Sequence, residues 1–357
     1  MAYELREVWY SQGARYSGQA LLAGDIGGTN SNFGIFILQE DKPVLVLSLH
    51  AKSQQVTDFN ALTAQIIDYL KTTYRITIER ACFGVAGVVN TERTYSKPTN
   101  LAVPLDGAAL KQATGINKFF LINDFEAVGF GLPWLGKDAL VTISQGTPVK
   151  GAAAACIGAG TGLGKVMLWW HKQLQQYIPL ASEGGHADCA VNTQEEFELL
   201  RFIQEQHKTE LPVSWEQILS GLGIQTIYAF LGQKKQYPVT AISSEIAATG
   251  FKPDSISRYA QQDELCRLTF DWYVTFYARC AKNFALEALS LGGMYIAGGI
   301  AAKNIELFKK PAFMQEFIRC RKHALLLKNM PVYVIADYNV SLYGAAGFLL
   351  LQSQKIV

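Results

Sequence analysis

One stretch constrains the fold of this chain more than any other. It runs Leu21-Leu22-Ala23-Gly24-Asp25-Ile26-Gly27-Gly28-Thr29-Asn30 and continues from Ser31 to Leu38. Apolar β-formers lie on both sides of a short Gly-Gly-Thr-Asn turn, the pattern of a β-hairpin whose turn residues accept positive φ. Gly27 and Gly28 have no Cβ, so their N–H groups can come close to an anion. Thr29 adds a hydroxyl donor and Asn30 an amide donor. Asp25 stands just before the turn, where a carboxylate can orient a hydrated Mg²⁺ beside a phosphate. Taken alone, the same pattern also describes an ordinary surface hairpin.

Composition narrows the choice. A chain of 357 residues, 49% hydrophobic and 17% charged, is long and apolar enough for two globular domains. The net charge of +2 is spread along the chain, which points to no nucleic-acid or membrane-surface partner. The six cysteines never take C-x-x-C spacing, and several sit in apolar runs such as Ala81-Cys82-Phe83. Buried thiols in a reducing compartment are expected, without a disulfide framework. Residues 1–20 carry Glu4, Arg6, Glu7 and Arg15 and no apolar core, so they do not read as a signal peptide. The longest apolar candidate, Ala152 to Trp170, is interrupted by four glycines and Lys165. A cytoplasmic protein is expected.

Beyond the hairpin, the spacing predicts a strand at Val44–Leu49, a helix at Asp58–Leu70, a buried strand at Arg80–Val89, a short helix ending at Gly115 and a strand at Lys118–Ile122. A second series begins near Ala153: strand, glycine turn at Gly158–Gly164, then strand at Val166–Trp170. It echoes the opening hairpin about 135 residues later, which suggests two related halves. Helical patterns follow at Gln194–Glu205, Ser214–Leu219, Ser243–Ala248, Asp263–Leu291 and Ile305–Phe317. Strands are predicted at Met294–Gly299 and Val332–Ala336, and a final helix at Leu342–Gln352. A meander followed by alternating helices and strands indicates an α/β fold.

The polar motifs fall at the ends of these elements. Gly158-Ala159-Gly160-Thr161-Gly162-Leu163-Gly164-Lys165 fails as a P-loop, because Ala159 and Val166 stand where Gly and Ser/Thr are needed. It fails as a dinucleotide fingerprint at Leu163, and it leads into a strand. What remains is a turn able to offer N–H and hydroxyl donors. Asn123-Asp124 follows a strand; Asp124 could take a proton from an attacking alcohol, and the pair could equally cap a helix. Glu183-Gly184-Gly185-His186 presents an acceptor and a donor together, suited to polyol hydroxyls. Cys189 alone does not make a zinc site there. Glu216 by itself is an ordinary helical glutamate. The Gly298-Gly299 turn could pass an adenine over bare backbone, or be a simple strand-to-helix turn.

In order along the chain, Asp25 to Asn30, Thr99-Asn100, Asn123-Asp124-Phe125, Gly158 to Gly164, Glu183 to His186, Glu216 and Ala297 to Ile300 resemble the bacterial glucokinase family. These are ATP-dependent hexose kinases on the actin/hexokinase/Hsp70-type ATPase scaffold. The cysteine-rich zinc signature of the related repressor/kinase (ROK) family is missing. The resemblance covers about Leu21 to Leu350. It implies an actin-like ATPase (ribonuclease H-like) fold of two unequal α/β domains around a deep cleft. Expected boundaries are 18–124 plus 338–357 for the small domain, 125–337 for the large one, and 1–17 as an N-terminal extension. It implies phosphorylation of D-glucose at the 6-hydroxyl, the first step of glycolysis, by a homodimer using ATP and Mg²⁺. Asp124 would be the base. Asn100, Asn123, Asp124, Glu183, His186 and Glu216 would hold the sugar, and Asp25 would orient Mg²⁺ through water. Gly27, Gly28, Thr29, Asn30, Gly160, Thr161 and Gly162 would hold the phosphates, with Gly298 and Gly299 bordering the adenosine. The family often has Trp shortly after the Thr-Asn pair; here Leu101 to Pro104 follow Asn100. The rival readings are a sugar-sensing regulator without catalysis, for which only about 20 residues precede the first strand, and a kinase using ADP, polyphosphate or another sugar.

Overall fold

A computed structural model describes residues 3–10, 16–98, 101, 103–235 and 237–353. The expectation for Thr99 and Asn100 therefore lies outside the described residues. The chain divides into two units, one of Met1–Lys137, Gln173–Ala181 and Asp337–Val357, the other of Asp138–Lys172 and Ser182–Ala336.

The first unit holds strands β1 (Arg6–Trp9), β2 (Gly18–Ile26), β3 (Asn30–Gln39), β4 (Lys42–Lys52), β5 (Ile76–Val85), the short pair β6 (Tyr95–Ser96) and β7 (Leu105–Asp106), and β8 (Lys118–Asn123). Six of them form a sheet in the order β1-β4-β3-β2-β5-β8. The predicted hairpin is β2 with β3, antiparallel from Leu21↔Phe36 to Ile26↔Ser31. Both faces of this sheet are covered, so alternate residues enter different cores. Leu22, Phe33, Ile35 and Phe83 pack with Leu62 and Ile66 of the helix Phe59–Tyr74. Leu21, Ala23, Phe36 and Cys82 pack with Ala127 and with Ala345 and Phe348 of the C-terminal helix Val340–Leu351. Asp58 caps the first of these helices by accepting from Asn60 and Ala61 N–H groups.

The segment read from sequence as an extension contributes β1, which pairs antiparallel with β4 from Arg6↔His50 to Trp9↔Leu47. Glu7 anchors it, accepting from the Tyr74 hydroxyl at 2.8 Å and from the Tyr69 hydroxyl.

The second unit contains most of a further sheet, made by β9 (Leu140–Ser144), β10 (Ala154–Ala159), β11 (Leu163–His171), β12 (Gln176–Ser182), β13 (Met294–Ala297) and β14 (Val332–Ile335). Its order is β12-β11-β10-β13-β14-β9. The helix Glu264–Glu287, capped by Asp263, fills this unit's core with Phe270, Tyr273, Phe276, Tyr277 and Phe284. The sequence echo is thus topological. In each sheet an antiparallel hairpin (β2–β3, β10–β11) is followed outward by two parallel strands (β5 and β8, β13 and β14).

Ile305–Phe317, expected as one helix, is two: Ile305–Phe308 and Pro311–Phe317. Pro311 forces Lys310 out of the helical region, to φ −60° and ψ 142°. Among the described residues no helix is long and apolar enough to cross a membrane.

Candidate active site

In the first unit the candidate residues gather at one end of the sheet. Asp25 lies opposite Gly84 of β5, and Gly84 opposite Ile122 of β8. Asp124 follows β8 directly, and its Cα lies 3.7 Å from where a Cβ on Gly84 would stand, Gly84 being the residue opposite Asp25. The turn Gly27–Asn30 closes β2 onto β3 through a bond from Gly27 N–H to the Asn30 carbonyl, 3.1 Å. Gly27's donor is therefore used by the turn, and the donors it offers outward are those of Gly28 and Thr29. Ser53 braces the loop, donating from Oγ to the Gly27 carbonyl at 2.6 Å and from N–H to the Thr29 carbonyl. Lys52 Nζ donates to Asn30 Oδ1 at 2.9 Å, which brings a cation to the turn. Neither residue is signalled in the sequence, because both lie more than twenty positions away and arrive through β3–β4 pairing.

Asn123 is the cap of the helix Asp124–Gly131. Its Oδ1 accepts from Phe125 N–H at 2.9 Å and Glu126 N–H at 3.1 Å, and its Nδ2 donates to the Gly87 carbonyl. The capping alternative thus holds for Asn123, and that cap sets where Asp124 begins the helix. Asp124 accepts from Phe125 N–H through Oδ1 at 2.9 Å. Two residues on, buried Glu126 takes two bonds from Arg93, 2.9 and 2.7 Å, and fixes the start of the helix.

Burial pushes the Asp25 carboxyl up from its usual range, and hydrogen bonds from Ser341 and Asn32 partly offset this. One carboxylate, steadied by neutral donors, suits an ion that keeps most of its ligands as water and phosphate oxygens, as Mg²⁺ does. Among the described residues no group of three or more His, Cys, Asp or Glu could hold a metal by itself.

In the second unit the remaining candidates also share one sheet end. The turn between β10 and β11 is Gly160–Gly162, closed by Gly160 N–H to the Gly162 carbonyl at 2.9 Å, which leaves Thr161 to present its donors. Beside it, β13 is followed by Gly298, whose φ of +89° and closeness to the Ala159 carbonyl leave no room for a Cβ. Gly299 opens the short helix Gly299–Lys303. Glu216, on the helical turn Trp215–Ile218, reaches back to this region: its Oε2 accepts from Leu163 N–H at 2.9 Å and lies against Gly162. The Glu183–His186 turn packs on the start of β11. His186 Nε2 is 3.9 Å from Glu183 Oε2, and its Nδ1 is 3.9 Å from Glu216 Oε1. These separations are too long for hydrogen bonds; His186 and Glu183 remain 61% and 52% exposed, while Glu216 keeps its bond to Leu163 N–H.

Two sheets of matching strand order, with glycine turns and carboxylates at strand ends, define the class: a sugar kinase of the actin-like ATPase fold. The comparisons narrow it. A family model for glucokinase matches residues 22–352. A glucokinase of Nostoc punctiforme is 35% identical over 91% of this chain and 97% of its own length. The solved glucokinase of an Antarctic psychrotroph superposes with a TM-score of 0.74 at 27% identity, over 92% of this chain and 98% of that one. A Balamuthia mandrillaris glucokinase solved with glucose gives 0.78 at 20% identity, over 93% and 94%, a likeness of fold. The chain belongs to the glucokinase family. That membership sets aside the reading as a non-catalytic sugar-sensing regulator.

Proposed function

We propose that this chain transfers the γ-phosphoryl group of ATP to the 6-hydroxyl of glucose with Asp124 as general base. The observation that carries this reading is the placement of Asp124: first residue of a capped helix, at the same sheet end as Asp25 and the Gly27–Asn30 turn. As the sugar O6 attacks phosphorus, its proton passes to the Asp124 carboxylate. The O6–P bond forms while the bond from phosphorus to the β,γ-bridging oxygen breaks, and ADP leaves with that electron pair. In the first unit the donors available to phosphate oxygens are those of Gly28 and Thr29, with Lys52; in the second they are those of Thr161 and Gly162, and the Gly298–Gly299 backbone is the place for adenosine. Mg²⁺, held through water by Asp25, would neutralise phosphate charge. In the second unit Glu183, His186 and Glu216 are the groups for sugar hydroxyls; in the first they are Asn100 and the remaining N–H of Asn123. Groups that glucose would cover and a wrong sugar would leave unpaired supply the discrimination. The setting we propose is a cytoplasmic homodimer feeding glucose 6-phosphate into glycolysis, testable by fractionation and light scattering.

The test is Asp124→Asn, assayed by coupled detection of glucose 6-phosphate. General-base catalysis is worth roughly 10²–10⁴-fold, so turnover should fall by that much while glucose and nucleotide affinities hold within a few-fold. Near-normal turnover would remove Asp124 from the role. Running the same assay over ATP, ADP and polyphosphate separates the donors.

A further inference from the structure

A row of polar side chains crosses the first unit's otherwise apolar sheet. Asp25 on β2 lies opposite Asn32 on β3, Asn32 opposite His50 on β4, and His50 opposite Arg6 on β1. Directly opposed residues on neighbouring strands share a face, with Cβ atoms about 5 Å apart, so four strands carry one continuous polar rung. The rung is hydrogen-bonded. His50 Nδ1 is 2.8 Å from Asn32 Oδ1, and His50 Nε2 is 2.7 Å from Ser48 Oγ. Ser48 is fully buried, and its Oγ is 3.3 Å from the Tyr10 hydroxyl just past β1.

With a neutral His50 ring the protons along the rung fall in one order. Asn32 Oδ1 is an acceptor, so His50 must donate from Nδ1. Neutral His50 then accepts at Nε2 from the Ser48 hydroxyl, and the Tyr10 hydroxyl lies between Ser48 Oγ and Asn339 Oδ1. Burial and the charge of Arg6 lower the His50 pKa, which favours the neutral ring. With its oxygen committed to His50, Asn32 can turn only its amide N–H₂ toward Asp25, its directly opposed neighbour on β2. Without His50 the amide could rotate and present its oxygen to a carboxylate.

We infer that Asn32 and His50 are positioning residues for Asp25, fixing its carboxylate in the orientation that engages the metal-bound phosphates of ATP. The inference rests on the metal role proposed for Asp25 and adds residues to which nothing in the glycine-turn motif points. It also gives β1 a part in the site, since Arg6 and Tyr10 close the far end of the rung.

The experiment measures binding of a non-hydrolysable ATP analogue, by calorimetric titration with and without Mg²⁺, beside steady-state kinetics. Asp25→Asn should abolish the tightening that Mg²⁺ brings. Partners of this kind typically matter by roughly 10–100-fold. His50→Ala and Asn32→Ala should each therefore shrink the Mg²⁺-dependent gain and kcat within that range, with KM for glucose changed less than about twofold. His50→Gln, which supplies both a donor and an acceptor, should recover most of the loss. The double variant Asn32→Ala/His50→Ala should be no worse than the weaker single one, because one chain of bonds is cut in either case. If His50→Ala keeps the full Mg²⁺-dependent gain while Asp25→Asn loses it, the rung does not position Asp25 and the inference falls alone. If Asp25→Asn keeps the gain, the metal reading falls first and takes the inference with it. A His50→Ala protein that melts earlier yet keeps the Mg²⁺ ratio marks a merely structural role and overturns the proposal.

Discussion

At the scale of single residues, the most constrained atoms are backbone ones. Gly298 sits at φ +89° with the Ala159 carbonyl where a side chain would begin. Gly298→Ala combines an unfavourable dihedral, worth about 1–3 kcal/mol, with a backbone clash. The expected outcome is a melting temperature lower by several degrees and a weaker nucleotide KM, measured by scanning calorimetry and initial rates. Asn123 offers a cleaner contrast. Its Oδ1 takes two helix-end N–H groups, so Asn123→Ala should lose about 1 kcal/mol of cap energy and let Asp124 wander, lowering both stability and kcat. Asn123→Asp keeps an acceptor and should retain the stability. Equal denaturation midpoints for Ala and Asp would show that the cap is not what holds the helix start.

At the scale of elements, the second unit's long helix is tied to its neighbours by charge as well as by packing. Arg279, 2% exposed, donates to both oxygens of Glu196 at 2.8 and 2.9 Å and to Glu316 at 2.8 Å. Burial works against ionisation of Glu196, but the bonds from Arg279 and from the Asn192 N–H outweigh it and hold the carboxyl below the usual carboxylate range. A depressed carboxyl pKa stabilises the fold above the unfolded value, about 4.3, and that contribution is lost as pH falls through the folded value. Wild type should therefore exceed Glu196→Gln in urea midpoint at pH 7, with the gap narrowing as the pH drops below about 4.5. A gap that is constant with pH would show that the pair does not carry the stability. Element boundaries followed local chemistry where it was strong, as at Asp58, Gly115 and Pro311. The strands β1, β9 and β12 escaped notice because edge strands lack an alternating apolar pattern long enough to read.

At the scale of the whole molecule, ligand binding and folding are linked. Glucose at 100 times its Kd should stabilise the native protein by about 2.7 kcal/mol, and a hexose that leaves site groups unpaired should do much less. A thermal-shift series over glucose, mannose and galactose reads this directly. Equal shifts for all three would contradict a glucose-selective site. The candidate residues sort into two clusters, each at one end of its own sheet. That sorting was legible only as motif order along the chain.

The sequence by itself determined the hairpins, the glycine turns, the Asp-terminated strands and the duplicated order of elements, because each depends on neighbouring residues whose dihedral and periodic preferences are local. Tertiary structure decided which side chains meet. Glu216 bonds to Leu163 N–H across 53 positions. Asn123 spends its oxygen on a helix end, and Lys52 arrives at the Gly27–Asn30 turn by strand pairing. The rung from Asp25 to Arg6 likewise exists only because strand register aligns residues distant in the chain, and register is set by the burial of whole sheet faces.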